Sequence, residues 1–366
     1  MLSRMTNKNN VEKQFEILRT LVAIAIALSI AFIIILLISD NPINALASFV
    51  IGPLTTTRRL GNIVEALIPL LFTGTAVSLI FSANQTNLAV EGAFFIGGVG
   101  ASFMATQLNL PPGIHLVVAL IVAGIIGALA CGIPAILYIK FDARPVVSSL
   151  MVNYVCLYLG LAVINHVIRD PAAGFLASFK FNKTAVLPKI IKGTNVHFGI
   201  FLGIIIVILG YLYLYKYKKG YEIRMVGKNV DFAKYSGINV NSVLMSAQLL
   251  GGFIAGMGGA VEVLGMYNRF QYQKLTGHGF DGILVGIIAK NNPKLVPLTA
   301  LFLAYIRVGA DVMSRVSDIP IELVSIIQAI IIMFVVAERF LYKLKHKKIV
   351  SLSRNEINEK EEIVNG

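Results

Sequence analysis

The chain has 366 residues, 56% of them hydrophobic and only 14% charged, with a mean hydropathy of +0.77. Soluble domains carry roughly 25% charged residues, so this chain has too few charges to cover a water-facing surface, which excludes a soluble globular class. The net charge of +13 reads as the Lys and Arg bias of cytoplasmic loops in a membrane protein, not as a nucleic-acid-binding face.

A bilayer core takes ~20 apolar residues per helical span. Apolar stretches at or near that length fall at 18–39, 63–82, 92–107, 114–138, 146–168, 197–216, 242–266, 281–290, 295–313 and 320–341. The expected fold is therefore all-α, a polytopic membrane protein of about ten transmembrane helices. Residues 1–17 are expected as a cytoplasmic N-terminal segment, 18–341 as the transmembrane domain and 342–366 as a cytoplasmic tail. The first stretch is long enough to span, and no small-residue cleavage site follows before Asp40-Asn41-Pro42, so it reads as a retained helix. The third and eighth are short, as half-helices or tilted pieces would be. Cys131 and Cys156 fall inside apolar spans and read as small core residues. The five histidines are scattered and make no metal motif.

With an even number of spans both termini share a side. Roughly two-thirds of the 32 Lys and Arg gather on that side, which makes it the cytoplasm. The opposite side carries about ten, half of them in the long loop 169–196, with Arg169, Lys180, Lys183, Lys189 and Lys192. A faint repeat also runs through the chain. Glu91-Gly92 and Asp281-Gly282 each open a short apolar run after a longer one, and Pro145 and Pro320 each precede a later span. Spans two to five thus correspond to spans seven to ten. Members of each pair lie five spans apart, so the copies face opposite ways, an inverted-topology repeat.

The acid-glycine pairs are the first candidate site. A carboxylate at the bilayer centre costs ~2.5–3.5 kcal/mol on insertion scales, so it must cap a helix, face a cavity or sit near the interface. Asn84, Gln85 and Asn87 add polar groups before Glu91. Either a broken helix lining a substrate path or a plain helix cap accounts for them. Glu65, Glu262, Arg307, Asp311 and Glu322 lie in or beside spans; Arg307 and Asp311, one turn apart, are expected to pair. Gly252 and Gly256, then Gly282 and Gly286, keep the spacing of close helix contacts. The cytoplasmic segment 218–241 carries a short helix with Asn229 at its start and Gly237 at its stop. Two turns of helix are unstable alone, so this piece docks on its own membrane domain or on a partner, or else is a solvated loop. No GxxxxGK[ST] loop is present: Gly227-Lys228 is followed by Asn229, and Glu222 stands where the first glycine would be. The chain reads as a transport subunit without its own ATPase, not as an enzyme.

These residues carry a resemblance. NLAVEG at 87–92 resembles the NIGxEG element of the permeases of bacterial ABC importers for nucleosides and simple sugars, in the branched-chain-type permease superfamily. GYEIRMVGKNVDFAKYSGINV at 220–240 resembles their cytoplasmic coupling region. GGAVEVLGMYNRF at 258–270, GHGFDGILVGIIAKNNP at 277–293 and PIELVSIIQAIIIMFV at 320–335 resemble later elements. The match runs from about residue 50 to 340 and leans to the nucleoside branch; Leu88-Ala89-Val90 departs from the family's Ile-Gly.

The resemblance implies a multi-pass plasma-membrane permease with both termini cytoplasmic. Its partners would be an ATP-binding-cassette ATPase subunit, a second permease subunit, an extracytoplasmic substrate-binding lipoprotein and membrane lipid, with no nucleic acid. ATP and Mg would sit on partner subunits, and no cofactor on this chain. Carried over by position, Asn87, Glu91, Phe280 and Asp281 would lie near the substrate path, and Arg224, Gly227, Lys228, Asn229 and Gly237 would couple to the ATPase. The expected function is nucleoside import driven by partner ATP hydrolysis. The alternatives are a permease for a simple sugar such as ribose or galactose, a secondary transporter with Glu91 or Asp281 as its ion site, or a membrane scaffold.

Overall fold

The computed structural model describes residues 26, 29–30, 32–37, 39, 41–317 and 319–336. The expected segments 1–17 and 342–366, and much of span 18–39, lie outside them. Among the described residues the helices are α1 (Pro42–Val50), α2 (Thr57–Ser82), α3 (Val90–Gln107), α4 (Ile114–Phe141), α5 (Pro145–His166), α6 (Gly199–Lys216), α7 (Lys218–Lys228), α8 (Val230–Tyr235), α9 (Val240–Met266), α10 (His278–Ile288), α11 (Val296–Val316) and α12 (Ile321–Val336). Extended backbone pairs only in two isolated bridges there, Arg169 with Ser178 and Lys189 with His197. Lipid offers no hydrogen bonds, so a spanning chain must satisfy its own backbone, and helices do so within one segment.

Six described helices are long and apolar enough to cross a bilayer: α2, α4, α5, α6, α9, and α11 with the 3-10 turn at Pro293–Leu295 before it. The short run expected at 281–290 is α10, apolar but only 11 residues long. The other short run is α3, diluted by Glu91, several glycines and Gln107.

The described residues fall into two units, one spanning Ile51–Gly309 and the other formed before Ile51 and from Ala310 onward. In the second, Ala45 and Phe49 of α1 are buried, and Arg315 bonds Asp311 at 2.9 Å. The first unit holds α2 to α10 and most of α11.

Its core is built on α2 and α9. Every residue of α2 from Ile68 to Ile80 is buried, as is every residue of α9 from Gly258 to Gly265. A helix apolar on all sides is a central one. The hydroxyls of Thr73, Thr75 and Ser78 donate to carbonyls one turn back, at 3.1, 2.7 and 2.8 Å, so they need no partner elsewhere. Around these helices α5 and α6 turn outward Met151, Tyr154, Val155, Ile205, Ile208 and Leu209, an apolar exterior suited to lipid.

A tight seam joins α9 to α4. A Cβ on Gly256 would strike the carbonyl oxygen of Ala123, and one on Gly252 that of Gly127. Small residues four apart on both helices let the backbones touch, so these glycines make an internal seam of the bundle.

The basic loop after α5 is a fixed cover. Its backbone N–H groups at Ser178, Phe181, Asn182 and Leu187 donate to carbonyls of Phe270, Asn268, Ala105 and Leu264, at 2.9–3.0 Å. Asp170 pairs with Arg269 at 3.1 Å. The loop thereby straps the C-terminal ends of α3 and α9.

Candidate functional site

The start of α3 is bound on three sides. Asn87 is fully buried; its Nδ2 donates to the Cys131 carbonyl of α4 at 3.1 Å and to Gln248 Oε1 of α9 at 2.7 Å. Its Oδ1 accepts from the Ala89 N–H at 2.8 Å. Asn153 of α5 closes the third side: its Oδ1 accepts from the Gly92 N–H at 2.8 Å and its Nδ2 donates to the Leu88 carbonyl at 3.1 Å. Ser149 Oγ accepts from the Leu88 N–H at 3.0 Å. The amides of Leu88 and Ala89, before α3, and of Gly92, in its first turn, are thus held by side chains.

Glu91 sits in the first turn of α3 but serves another helix. Its Oε1 accepts from the Gly277 N–H at 2.7 Å and from Thr276 Oγ1 at 3.3 Å. Its Oε2 accepts from the N–H groups of Gly279 at 2.6 Å and Phe280 at 3.4 Å. These are the unpaired donors that open α10, whose N-cap, Gly277, has no side chain to meet them. A buried anion on helix-start amides is the arrangement the backbone dipole favours. Two glycines make it possible: Gly277 adopts φ +82°, and a Cβ on Gly279 would run into the Glu91 backbone. Two helix starts therefore converge on one carboxylate.

Asp281, one turn into α10, forms an ion pair with Arg307 of α11. This corrects the expectation that Arg307 pairs with Asp311, whose carboxylate holds Arg315 instead; a contact across helices outcompetes the one-turn neighbour. Gly282 and Gly286 face Thr73 and Val77, seating α10 on α2. Of the four path residues expected from sequence, only Phe280 has an open face, at 39% exposure.

The polar segment after α6 folds as α7 and α8. Arg224 is turned inward: its Nε donates to the Leu214 carbonyl at 3.0 Å and its guanidinium lies 4.8 Å from the Tyr215 ring centroid. Gly227 abuts the Ser82 carbonyl and lies near the Asn84 N–H, which ties α7 to the turn leading into α3. Lys228 is exposed. Asn229 caps α8, accepting from the Phe232 N–H at 2.9 Å, and Gly237 ends it at φ +78°. Ala233 is buried, while Phe232 and Tyr235 stand 54% and 92% exposed.

Asn153, Gln248, Thr276 and Gly279 are not among the residues expected from sequence. A signal for them existed: Asn and Gln inside apolar helices require partners, and alternating glycines at Gly277 and Gly279 mark backbone laid open to an anion.

Residues 59–336 match the family described as branched-chain amino acid transport system / permease component. The guanosine ABC transporter permease protein NupP of Bacillus subtilis (strain 168) is 31% identical over 347 residues, 92% of this chain and 99% of that protein. The glucose ABC transporter permease protein TsgB13 of Haloferax volcanii is 28% identical, covering 90% of this chain and 92% of its own length. The probable riboflavin import permease protein RfuC of Treponema pallidum is 23% identical over 88% of this chain and 86% of its own. No solved structure matches significantly. By its family match and its apolar helical bundle, the chain belongs to this permease family and is a multi-pass membrane permease of the ABC nucleoside- and sugar-importer type.

Proposed function

We propose that the chain imports a nucleoside as one permease of a pair, driven by ATP hydrolysis on partner subunits and fed by an extracytoplasmic binding protein. The guanosine relative, aligned along nearly its whole length, supports the nucleoside; the glucose relative keeps a simple sugar as the second reading.

The observation that carries the coupling is α8. It is a short capped helix with one buried alanine and two bare aromatic rings, next to a helix fixed to the membrane domain. Phe232 and Tyr235 form the face offered to the cytoplasmic ATPase, with Lys228 at its edge. Asn229 and Gly237 shape the helix, and Arg224 and Gly227 anchor it. A push on α8 passes through α7 at Gly227 to the Ser82–Asn84 turn and on to the start of α3.

The bundle is read as ten spans in two inverted copies. In support, α2 and α9 are long and central, each is followed by a helix with an acid in its first turn, and α5 and α12 each begin at or just after a proline. Glu91 and Asp281 are held by backbone amides and by Arg307, which speaks against an ion-driven secondary transporter built on them.

Uptake of labelled guanosine and ribose by proteoliposomes holding the whole importer tests the reading. Accumulation should need ATP and ignore a protonophore, and the Phe232→Ser, Tyr235→Ser double variant should lose at least about tenfold in uptake, as buried aromatic anchors of interfaces do. Accumulation by this chain alone on an ion gradient would overturn it.

A further inference from the structure

The residues expected to touch substrate are largely committed to other partners. Glu262, near the C-terminal end of α9, is only 4% exposed. Its near contacts all address one oxygen. Tyr272 Oη donates to Oε1 at 3.5 Å, and His278 Nε2 lies 3.7 Å from the same atom. The other oxygen, Oε2, is buried with no hydrogen-bond partner, and so is His278 Nδ1. Leaving buried polar atoms unmatched is costly, and such atoms in a native protein mark bound water or a ligand.

The surroundings define what could fill that place. Tyr272 Oη also lies 3.3 Å from Tyr267 Oη, with the two rings edge to face. Phe94 of α3 lies against the His278 ring, centroids 5.4 Å apart. Glu65 of α2 is near enough for its charge to act on Glu262, and Asn195 of the cover loop lies close to it. Glu65, Tyr267, Tyr272 and His278 are partly accessible while Glu262 is not, so the set opens outward with the carboxylate innermost. Two carboxylates repel an anion. Among the described residues no three His, Cys, Asp or Glu side chains converge as metal ligands. The donor and acceptor set suits a neutral molecule that brings hydroxyl groups and a flat face. A carboxylate oxygen accepts from hydroxyls, phenols and imidazole both give and accept, and aromatic rings cover a sugar or base.

We propose that Glu262, Tyr272 and His278, flanked by Tyr267, Glu65 and Phe94, form a binding site for the vicinal hydroxyls of a neutral sugar-containing solute. Glu262 Oε2 receives one hydroxyl and His278 Nδ1 the next. This site rests on the importer reading above and names where within the permease the solute is held.

The test uses the reconstituted importer with its own ATPase and binding protein. Labelled guanosine, ribose and glucose are each compared with an analogue lacking ring hydroxyls, 2′,3′-dideoxyguanosine, 2-deoxyribose and 2-deoxyglucose. A site that hydrogen-bonds a hydroxyl rejects the analogue lacking it strongly, so wild-type uptake should favour the hydroxylated partner by at least about tenfold in kcat/KM. Glu262→Gln and, separately, Tyr272→Phe, which removes a single oxygen, should each shrink that preference at least about threefold. The binding protein is the same throughout, so a change in the ratio belongs to the permease. Variants that keep the wild-type ratio, or that slow both compounds equally, would overturn the site while leaving the importer reading intact. A wild-type importer that hydrolyses ATP yet carries none of the three would overturn the solute class and the site with it.

Discussion

At the scale of the residue, Glu91 shows how a charge is kept inside an apolar bundle. Its two oxygens accept from the amides of Gly277 and Gly279 at 2.7 and 2.6 Å, and such charge-assisted bonds contribute ~1.5–3 kcal/mol each. Glu91→Gln puts an amide donor against those donors, so it should cost on the order of 3 kcal/mol, read as a clear fall in thermal unfolding temperature in detergent. An unchanged melt would refute the cap. His197, in the cover loop, makes the opposite use of burial. It has no exposed surface, and its Nδ1 accepts from the Gly199 N–H at 3.2 Å. Burial, helped by the nearby Lys189 charge, pushes its pKa down to about 4, so the ring is neutral in the folded protein at pH 7. Between the ordinary histidine value near ~6.5 and about 4, the unfolded chain binds the proton and the folded one does not. The stabilisation is complete above that window and declines as pH falls through it. His197→Asn should flatten this part of the stability profile, measured by thermal melts at stepped pH.

At the scale of the element, α9 is the helix whose disturbance should spread furthest, since it touches α2, α3, α4 and α6. Gly256→Val would drive its branched Cβ into the Ala123 carbonyl and should cost ~3 kcal/mol or more. Ile121→Val, on the exposed side of α4, should be near neutral in the same melts. Helix positions were largely legible in the sequence because the signals are local. Pro145 opens α5, an acid lies in the first turn of α3 and of α10, and Asn229 and Gly237 bound α8. Partners were not legible. Glu91 meets Gly277 from 186 positions away, and no spacing rule connects an acid in one helix to amides in another. Arg307 illustrates the same limit: its one-turn neighbour was visible in sequence, but Asp281 came close only through packing. The long basic loop carried no periodicity, and its cover role lies in backbone bonds that any residue can make.

At the scale of the whole molecule, the reading of sidedness places α8 in the cytoplasm and the loop strapping α3 and α9 outside. Cys131 and Cys156 are both buried, so native thiols give little background. A cysteine replacing exposed Tyr235 should react with an impermeant maleimide only in inside-out vesicles, and one replacing Lys192 only in right-side-out vesicles; reactivity on the same side would reverse the topology. The convergence on Glu91 carries a consequence for how such a protein can change over generations. One side chain answers for two segments far apart in the gene, so neither stretch drifts independently. A loss of the acid strands the glycines, and a side chain at Gly279 evicts the acid, so the tolerated changes here must arrive together or not at all.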